Sequence, residues 1–397
     1  MKKILLLGGS YQQIAAITAA KKLGYYTILC DYLPDNPGQY CADRFYPVST
    51  TDMGKVLEIA KKEEISGIIA YASDPAAPTA AYVAGQLHLP ANPFQTVCTM
   101  CDKWKFRSFL TEHGYSSPRT AAARELNEAV KLIHEMDYPV VIKPVDSSGS
   151  KGVSVVQNAE DFRSAAEKAF ACSRAHRIVM EQFIENKYRH MIGGDIYVID
   201  GKVVLWGLMS CHRDDAVNPL VPVGKSFPPD LEEGELAAVR CTLQNLITDL
   251  GFRFGEVNIE VMIGTDGCIY PVDLGPRAGG NRIPELIGRI YGCDAVEMSI
   301  MAACGERPVL KAAEPVRNLA LHVIHSERDG ILKDISISPS IRKWIISEVL
   351  YRKPGDRVRR FENSADAIGV IFLQFPNSGV MSEIMDSMRE YILVETT

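Results

Sequence analysis

An α/β and α+β multidomain architecture is predicted by three features of this 397-residue chain. The first ninety residues alternate apolar strand-like runs with helical periodicity, the rhythm of a parallel, doubly wound sheet. A hairpin signal, Asp266-Gly267, stands among alternating apolar residues. The tail after Arg307 carries short strand runs of its own, the pattern of a small mixed domain. At this length two to three domains are expected.

In the N-terminal third, Ile4–Leu7 reads as a strand, Gln12–Leu23 as a helix and Tyr26–Cys30 as a strand. Gly54–Glu64 then reads as a helix, Gly67–Tyr71 as a strand and Thr79–Leu87 as a helix. The basic start and its apolar run stop at Gly8-Gly9, so they read as a buried first strand and not as a leader. Gly9 and Ser10 occupy the first strand-to-helix turn, where a small substrate can meet backbone N–H groups. Asp31 ends the second strand as a ribose-binding acid would, yet Gln12 and Gln13 stand where a GxGxxG loop needs glycines. Asp74 follows the third strand, on the carboxyl edge where such sheets bind ligands.

From Lys103 the character changes. Asp102–His113 and Leu126–Met136 read as amphipathic helices, and Tyr138–Pro144 as a buried strand with Lys143 at its mouth. The loop through Ser147, Ser148, Gly149, Ser150, Lys151 and Gly152 follows, then a strand Val153–Val156. Ile178–Ile184 and Tyr197–Leu208 read as strands. Cys211–Glu233, with four prolines after Asn218, reads as a long irregular loop of the kind that often carries function. There His212, Arg213, Asp214 and Asp215 read as a solvated charge cluster, with a gate over an acceptor pocket as the alternative. Helices at Leu236–Leu250, Arg282–Tyr291 and Ala295–Ala303 bracket the hairpin. The tail offers strands Leu319–Ile324, Trp344–Tyr351 and Ala367–Gln374 and a helix Ser382–Tyr391. The expected units are 1–95, 96–305 (with a lid at about 115–185) and 306–397.

Two segments carry chemistry. Lysine is rarely buried unless paired, so Lys143 beside a serine- and glycine-rich loop points to arriving phosphate oxygens. In the hairpin, a two-residue loop at Asp266-Gly267 pairs Thr265 with Cys268 and sets Glu260 opposite Asp273, with Cβ atoms roughly 4.5–5.5 Å apart. Two facing carboxylates repel, and a divalent cation such as Mg²⁺ carrying nucleotide phosphates reverses that sign. Arg277 then supplies a fixed cation, and Arg282 a fork for a substrate carboxylate.

The run Asp102–Arg107, then Val141–Pro144, Ser147–Gly152, Glu181–Ile184, Glu260, Asp273 and Pro276-Arg277 resembles the ATP-grasp enzymes, in that order. The first domain resembles the Rossmann-like unit preceding that fold in the biotin carboxylase and phosphoribosylamine–glycine ligase branch. The resemblance covers residues 1–305. It implies ATP and Mg²⁺ as cofactors, with Lys103 and Lys143 on the phosphates and the Ser147–Gly152 loop as lid. Glu181, Gln182, Phe183 and Ile184, with Met262, would line the adenine slot. Glu260 and Asp273 would hold Mg²⁺, and Arg277 would steady the transferred phosphoryl group. The implied activity is ATP-dependent ligation of a small carboxylic acid to an amine through an acyl phosphate. Three departures stand out: Gly275 where Asn is usual, with Asn258 across the hairpin as its substitute; Asp273 where Glu is commoner; and no clear ribose acid, His190 being the candidate.

The composition, 47% apolar and 23% charged, is that of an ordinary soluble protein. A net charge of −6 argues against nucleic-acid binding, and no apolar run near ~18 residues suggests a membrane span. Ten scattered cysteines, including a lone Cys98–Cys101 CxxC, read as reduced thiols of a cytoplasmic protein. A homodimer is compatible with this picture. Three alternatives stay open: a carboxylase or formyltransferase of the same fold using bicarbonate or formate, an NAD-dependent dehydrogenase built on Gly8–Ser10 and Asp31, and a catalytically silent nucleotide binder motivated by Gly275.

Overall fold

The computed structural model describes residues 1–308, 310 and 314–397. Its first sheet is parallel throughout, with Lys3–Leu7 between Tyr26–Cys30 and Gly67–Ile69 and the three-residue strand Arg44–Tyr46 at one edge. The sheet is covered on both faces, which is why its strands read as continuous apolar runs.

A second, eight-stranded sheet is antiparallel throughout. Its order is Ile269–Gly275, Gly255–Ile263, Met191–Ile199, Lys202–Asp214, Asn218–Phe227, Leu319–Ile324, Gly369–Gln374 and Ile345–Leu350. The tail therefore extends the sheet of the middle third; three of its other strands form a small sheet of their own. Helix Glu233–Leu250 buries Val239, Leu243, Leu246, Ile247 and Leu250 against Val257, Ile259, Val261 and Ile263. Glu233 and Glu235 favour its N-terminus, and Gly251 ends it in the left-handed conformation at φ +67°. A third, four-stranded sheet orders Thr120–Ala123, Ile178–Gln182, Val140–Pro144 and Ser154–Val156, backed by Leu126–Ile133 and Ala159–Cys172.

Several sequence expectations are corrected. The single strand Tyr197–Leu208 is two strands joined at Asp200-Gly201, whose φ values of +53° and +77° make a primed two-residue turn. The irregular loop Cys211–Glu233 is mostly the second arm of a further hairpin, running Lys202–Asp214 to Asn218–Phe227. Its prolines misled the reading; Pro222 sits where the register shifts, a place that needs no ladder N–H. Helices Phe94–Cys101 and Ala159–Cys172 were not anticipated.

The Glu260–Asp273 pairing is observed, as is Asn258 opposite Gly275. The path to it differs. Gly264 N–H donates to Cys268 O, closing a three-residue loop with Gly267 at φ +79°, and the register slips back between Glu260 and Val261. Two one-residue departures, a longer loop and a bulge at Val272, cancel.

Candidate active site

A cavity of about 440 Å³ opens between the large sheet, the third, four-stranded sheet and the first, parallel sheet. At one end, Glu181 accepts from Arg107 Nε at 3.0 Å and lies 2.6 Å from Lys143 Nζ. All three are buried, and Arg107 also donates to the carbonyls of Pro271 and Val272, clamping the hairpin bulge. Burial would raise the Glu181 pKa, but Arg107 and Lys143 outweigh it and hold the carboxyl below its ordinary range. Burial pushes the Lys143 ammonium down, with Arg107 and Lys103 adding to the fall and Glu181 opposing it. One carboxylate shared by two cations leaves the cluster at +1, ready for a further anion. Lys143 is thus a member of a buried network and not a simple strand-end lysine.

Lys103, at the start of helix Lys103–Glu112, donates to Ser147 O at 2.8 Å and lies 3.8 Å from Asp273. Ser147, Ser148, Gly149 and Ser150 line the cavity, as do Glu181, Gln182, Phe183, Ile184 and Met262. The loop is anchored: Ser150 Oγ donates to Leu220 O, and a Cβ on Gly149 would stand 2.6 Å from Ser364 Oγ. Gly152 lies outside the lining and packs against Cys172.

Glu260 and Asp273 both line the cavity; Lys103 lies 3.8 Å from Asp273, and Arg277 is close enough to feel the Asp273 charge. The pair stays net negative, with the hard oxygen donors a divalent cation takes. Behind it, Arg277 pairs with Asp74 at 2.5 Å, and Asp74 Oδ1 and Arg277 Nε are buried without hydrogen-bond partners. Gly275 has a steric cause: a Cβ there would meet Asp74 Oδ1 at 2.5 Å and Arg277 Cζ at 3.1 Å. The Asn258 amide donates to Gly194 O and to Asp195 Oδ1 at 2.7 Å, so its nitrogen positions a buried carboxylate. Burial raises the Asp195 pKa, and burial followed by Asp195 raises that of Glu256 further.

At the other end stands Lys225, which carries no role in the sequence reading, beside Arg213 of the loop charge cluster. Lys225, 6% exposed, donates to Cys211 Sγ, and Arg213 to Met191 Sδ. Neither has a carboxylate partner among the described residues, and both line the cavity. Gly193 makes the room, since a Cβ there would stand 2.5 Å from Lys225 Nζ. The Asp200-Gly201 signal would have revealed these strands and their alternation.

Other candidates fall elsewhere. Gly9 and Ser10 lie outside the lining; their N–H groups are taken by Asp31 Oδ2 and Gln13 Oε1, so they do not await a substrate. Asp31 is buried, also accepts from Leu33 N–H and lies outside the lining. Arg282 gives both bonds of its NH1 to Glu285, three residues on, and lies outside the lining. His190 faces Asp386 instead of the cavity.

The paired strands, the serine- and glycine-rich loop and the hairpin carboxylates around one cavity define an ATP-grasp protein. Residues 102–307, just over half of the chain, match the family described as carbamoyl-phosphate synthase L chain, ATP binding domain, and the chain belongs to it. It is 25% identical over 328 residues to the carbamoyl phosphate synthase large chain of Pasteurella multocida, with 77% of this chain and 29% of that one covered. The large chain of Pseudothermotoga lettingae is likewise 25% identical over 331 residues, covering 77% and 28%. This chain thus spans under a third of the length of these relatives. Among solved structures, L-amino acid ligase from Bacillus licheniformis superposes with a TM-score of 0.82 at 19% identity, covering 100% of this chain and 99% of that one. Phosphoribosylglycinamide synthetase from Anaerococcus prevotii gives 0.76 at 22%, covering 100% of both. At these identities the structures speak for the fold. No helix among the described residues is long and apolar enough to cross a membrane.

Proposed function

We propose that this protein is an ATP-dependent ligase that joins a small carboxylic acid to an amine through an acyl phosphate. The carrying observation is the division of one cavity: a phosphate-ready cluster at Lys143, Arg107 and Lys103 at one end, and the cations Lys225 and Arg213 without carboxylate partners at the other. A carboxylate oxygen of the acid, held by Lys225 and Arg213, bonds to the γ-phosphorus of ATP as the bond to ADP breaks. The amine then attacks the carbonyl carbon, and phosphate leaves carrying that oxygen.

Glu181–Ile184 and Met262 seat the adenine, and Lys103 and Lys143 hold the phosphates. Arg277 disperses charge on the transferred group, and the Ser147–Gly152 loop keeps water away. The buried Asp74 Oδ1, without a hydrogen-bond partner among the described residues, supports a role in accepting an N–H of the amine. Glu260 and Asp273 would hold Mg²⁺, which supplies neutralisation of phosphate charge when bound. We read units 1–95, 96–305 and 306–397 as serving this one cavity, in a cytoplasmic protein. Bicarbonate as the acid is the second reading; it is favoured by a TM-score of 0.76 to a biotin carboxylase domain solved with MgADP and bicarbonate. An ADP-release screen across carboxylic acids, bicarbonate and amines tests the proposal. Release should require both an acid and an amine, and Glu260→Gln should lose the thermal shift given by Mg-ATP, worth about 2.7 kcal/mol at a hundredfold excess over the dissociation constant. ATP turnover independent of any acid would reject it.

A further inference from the structure

We propose a separate divalent-cation site of the zinc class at His190, His212 and Asp386, behind the cavity wall. His212 Nδ1 and His190 Nε2 each lie 2.8 Å from the same oxygen, Asp386 Oδ1, and the three atoms fall within 4.8 Å of one another. Among the described residues this is the one cluster of histidine, cysteine and acidic side chains with such spacing. Two imidazole nitrogens and one carboxylate oxygen are a donor set for Zn²⁺, or Co²⁺ in its place, and not for Mg²⁺.

Two further observations suit a bound cation. His190 Nε2 is buried and makes no hydrogen bond of acceptable geometry despite its closeness to Asp386. The two rings are pressed together, with centroids 4.3 Å apart, although each turns a nitrogen toward the same oxygen.

The groups around the cluster suit a ligand role. Ser226 Oγ lies 2.8 Å from His212 Nε2; accepting from an N–H there, it leaves the Nδ1 lone pair for an ion. Arg189 pairs with Asp386 Oδ2 at 2.7 Å, leaving Oδ1 as a single-oxygen ligand. The ligands come from before strand Met191–Ile199, from strand Lys202–Asp214 and from the tail helix. A bound ion would fasten that helix to the strands that carry Arg213 and Lys225.

The test uses the full chain, chelator-treated and free of nucleotide, titrated with Co²⁺ in visible absorption and with Zn²⁺ in thermal melting. Expected are one Co²⁺ per chain, a band displaced by Zn²⁺, and a raised melting temperature. His190→Ala and Asp386→Asn should lose both signals, and Ser226→Ala should weaken affinity about 10–100-fold. Glu260→Gln should keep them, which separates this site from the nucleotide's. A wild-type chain with neither band nor shift, or an Asp386→Asn chain that keeps both, overturns the proposal.

Discussion

The two ends of the cavity solve the same problem, a cation taken out of water, in opposite ways. Arg107 and Lys143 share Glu181 in a buried network that also grips the hairpin through backbone carbonyls. Lys225 and Arg213 rest on sulfur atoms, which are weak acceptors. The first end is built into the fold and stands without ligand; the second is completed only by an anion from outside. The first end shares its charge with a carboxylate of the fold, whereas the second has none to share it with among the described residues.

The sharpest way to break the contrast is Glu181→Gln. It leaves two buried cations without their counter-charge and should cost about 3–5 kcal/mol in chemical denaturation. The sign with pH is defined. The Glu181 pKa is depressed from 4.5, so its stabilisation is present above that value and fades as pH falls through the folded-state value. The variant should lose that part of the acid dependence, and an unchanged acid limb would remove the network from the account. At the other end, Lys225→Met removes a desolvated cation that has no carboxylate partner. Denaturation should show stability unchanged or raised, while the KM for the acid rises and the affinity for Mg-ATP stays as it was. A destabilised Lys225→Met chain with unaltered KM would erase the distinction between the ends.

A smaller effect probes the boundary. Gly275→Ala pushes a methyl into the Asp74–Arg277 pair and should cost about 1–3 kcal/mol as local overpacking. Turnover should fall more than nucleotide affinity, because Arg277 is displaced and the Lys143 cluster is untouched. Equal losses in both would place Arg277 on the bound nucleotide and away from the transferred group.

Legibility in the sequence followed the same division. Lys143, the Ser147–Gly152 loop and the facing Glu260 and Asp273 could be located because each sits at a local signal: a lysine ending an apolar strand, a run of small hydroxyl residues, an Asp-Gly turn. The doubly wound first sheet was legible from its apolar runs, save for the three-residue strand Arg44–Tyr46. Lys225 was not legible because prolines made its strand read as a loop, and Arg213, on the strand before it, read as part of a charge cluster, although Asp200-Gly201 announced the preceding hairpin. No local pattern could show that Asp74 reaches across to occupy the space beside Gly275, or that Arg282 is spent on Glu285. Nor could it show that the tail's strands continue the large sheet, since such pairing is set by contacts distant in sequence.

Oxygen transfer tests the central claim most directly. The acid identified by ADP release, labelled with ¹⁸O in its carboxylate, should deliver one labelled oxygen to the inorganic phosphate formed with the amide product. Stoichiometric ADP and product with unlabelled phosphate would contradict an acyl phosphate, and with it the assignment of the two ends of the cavity.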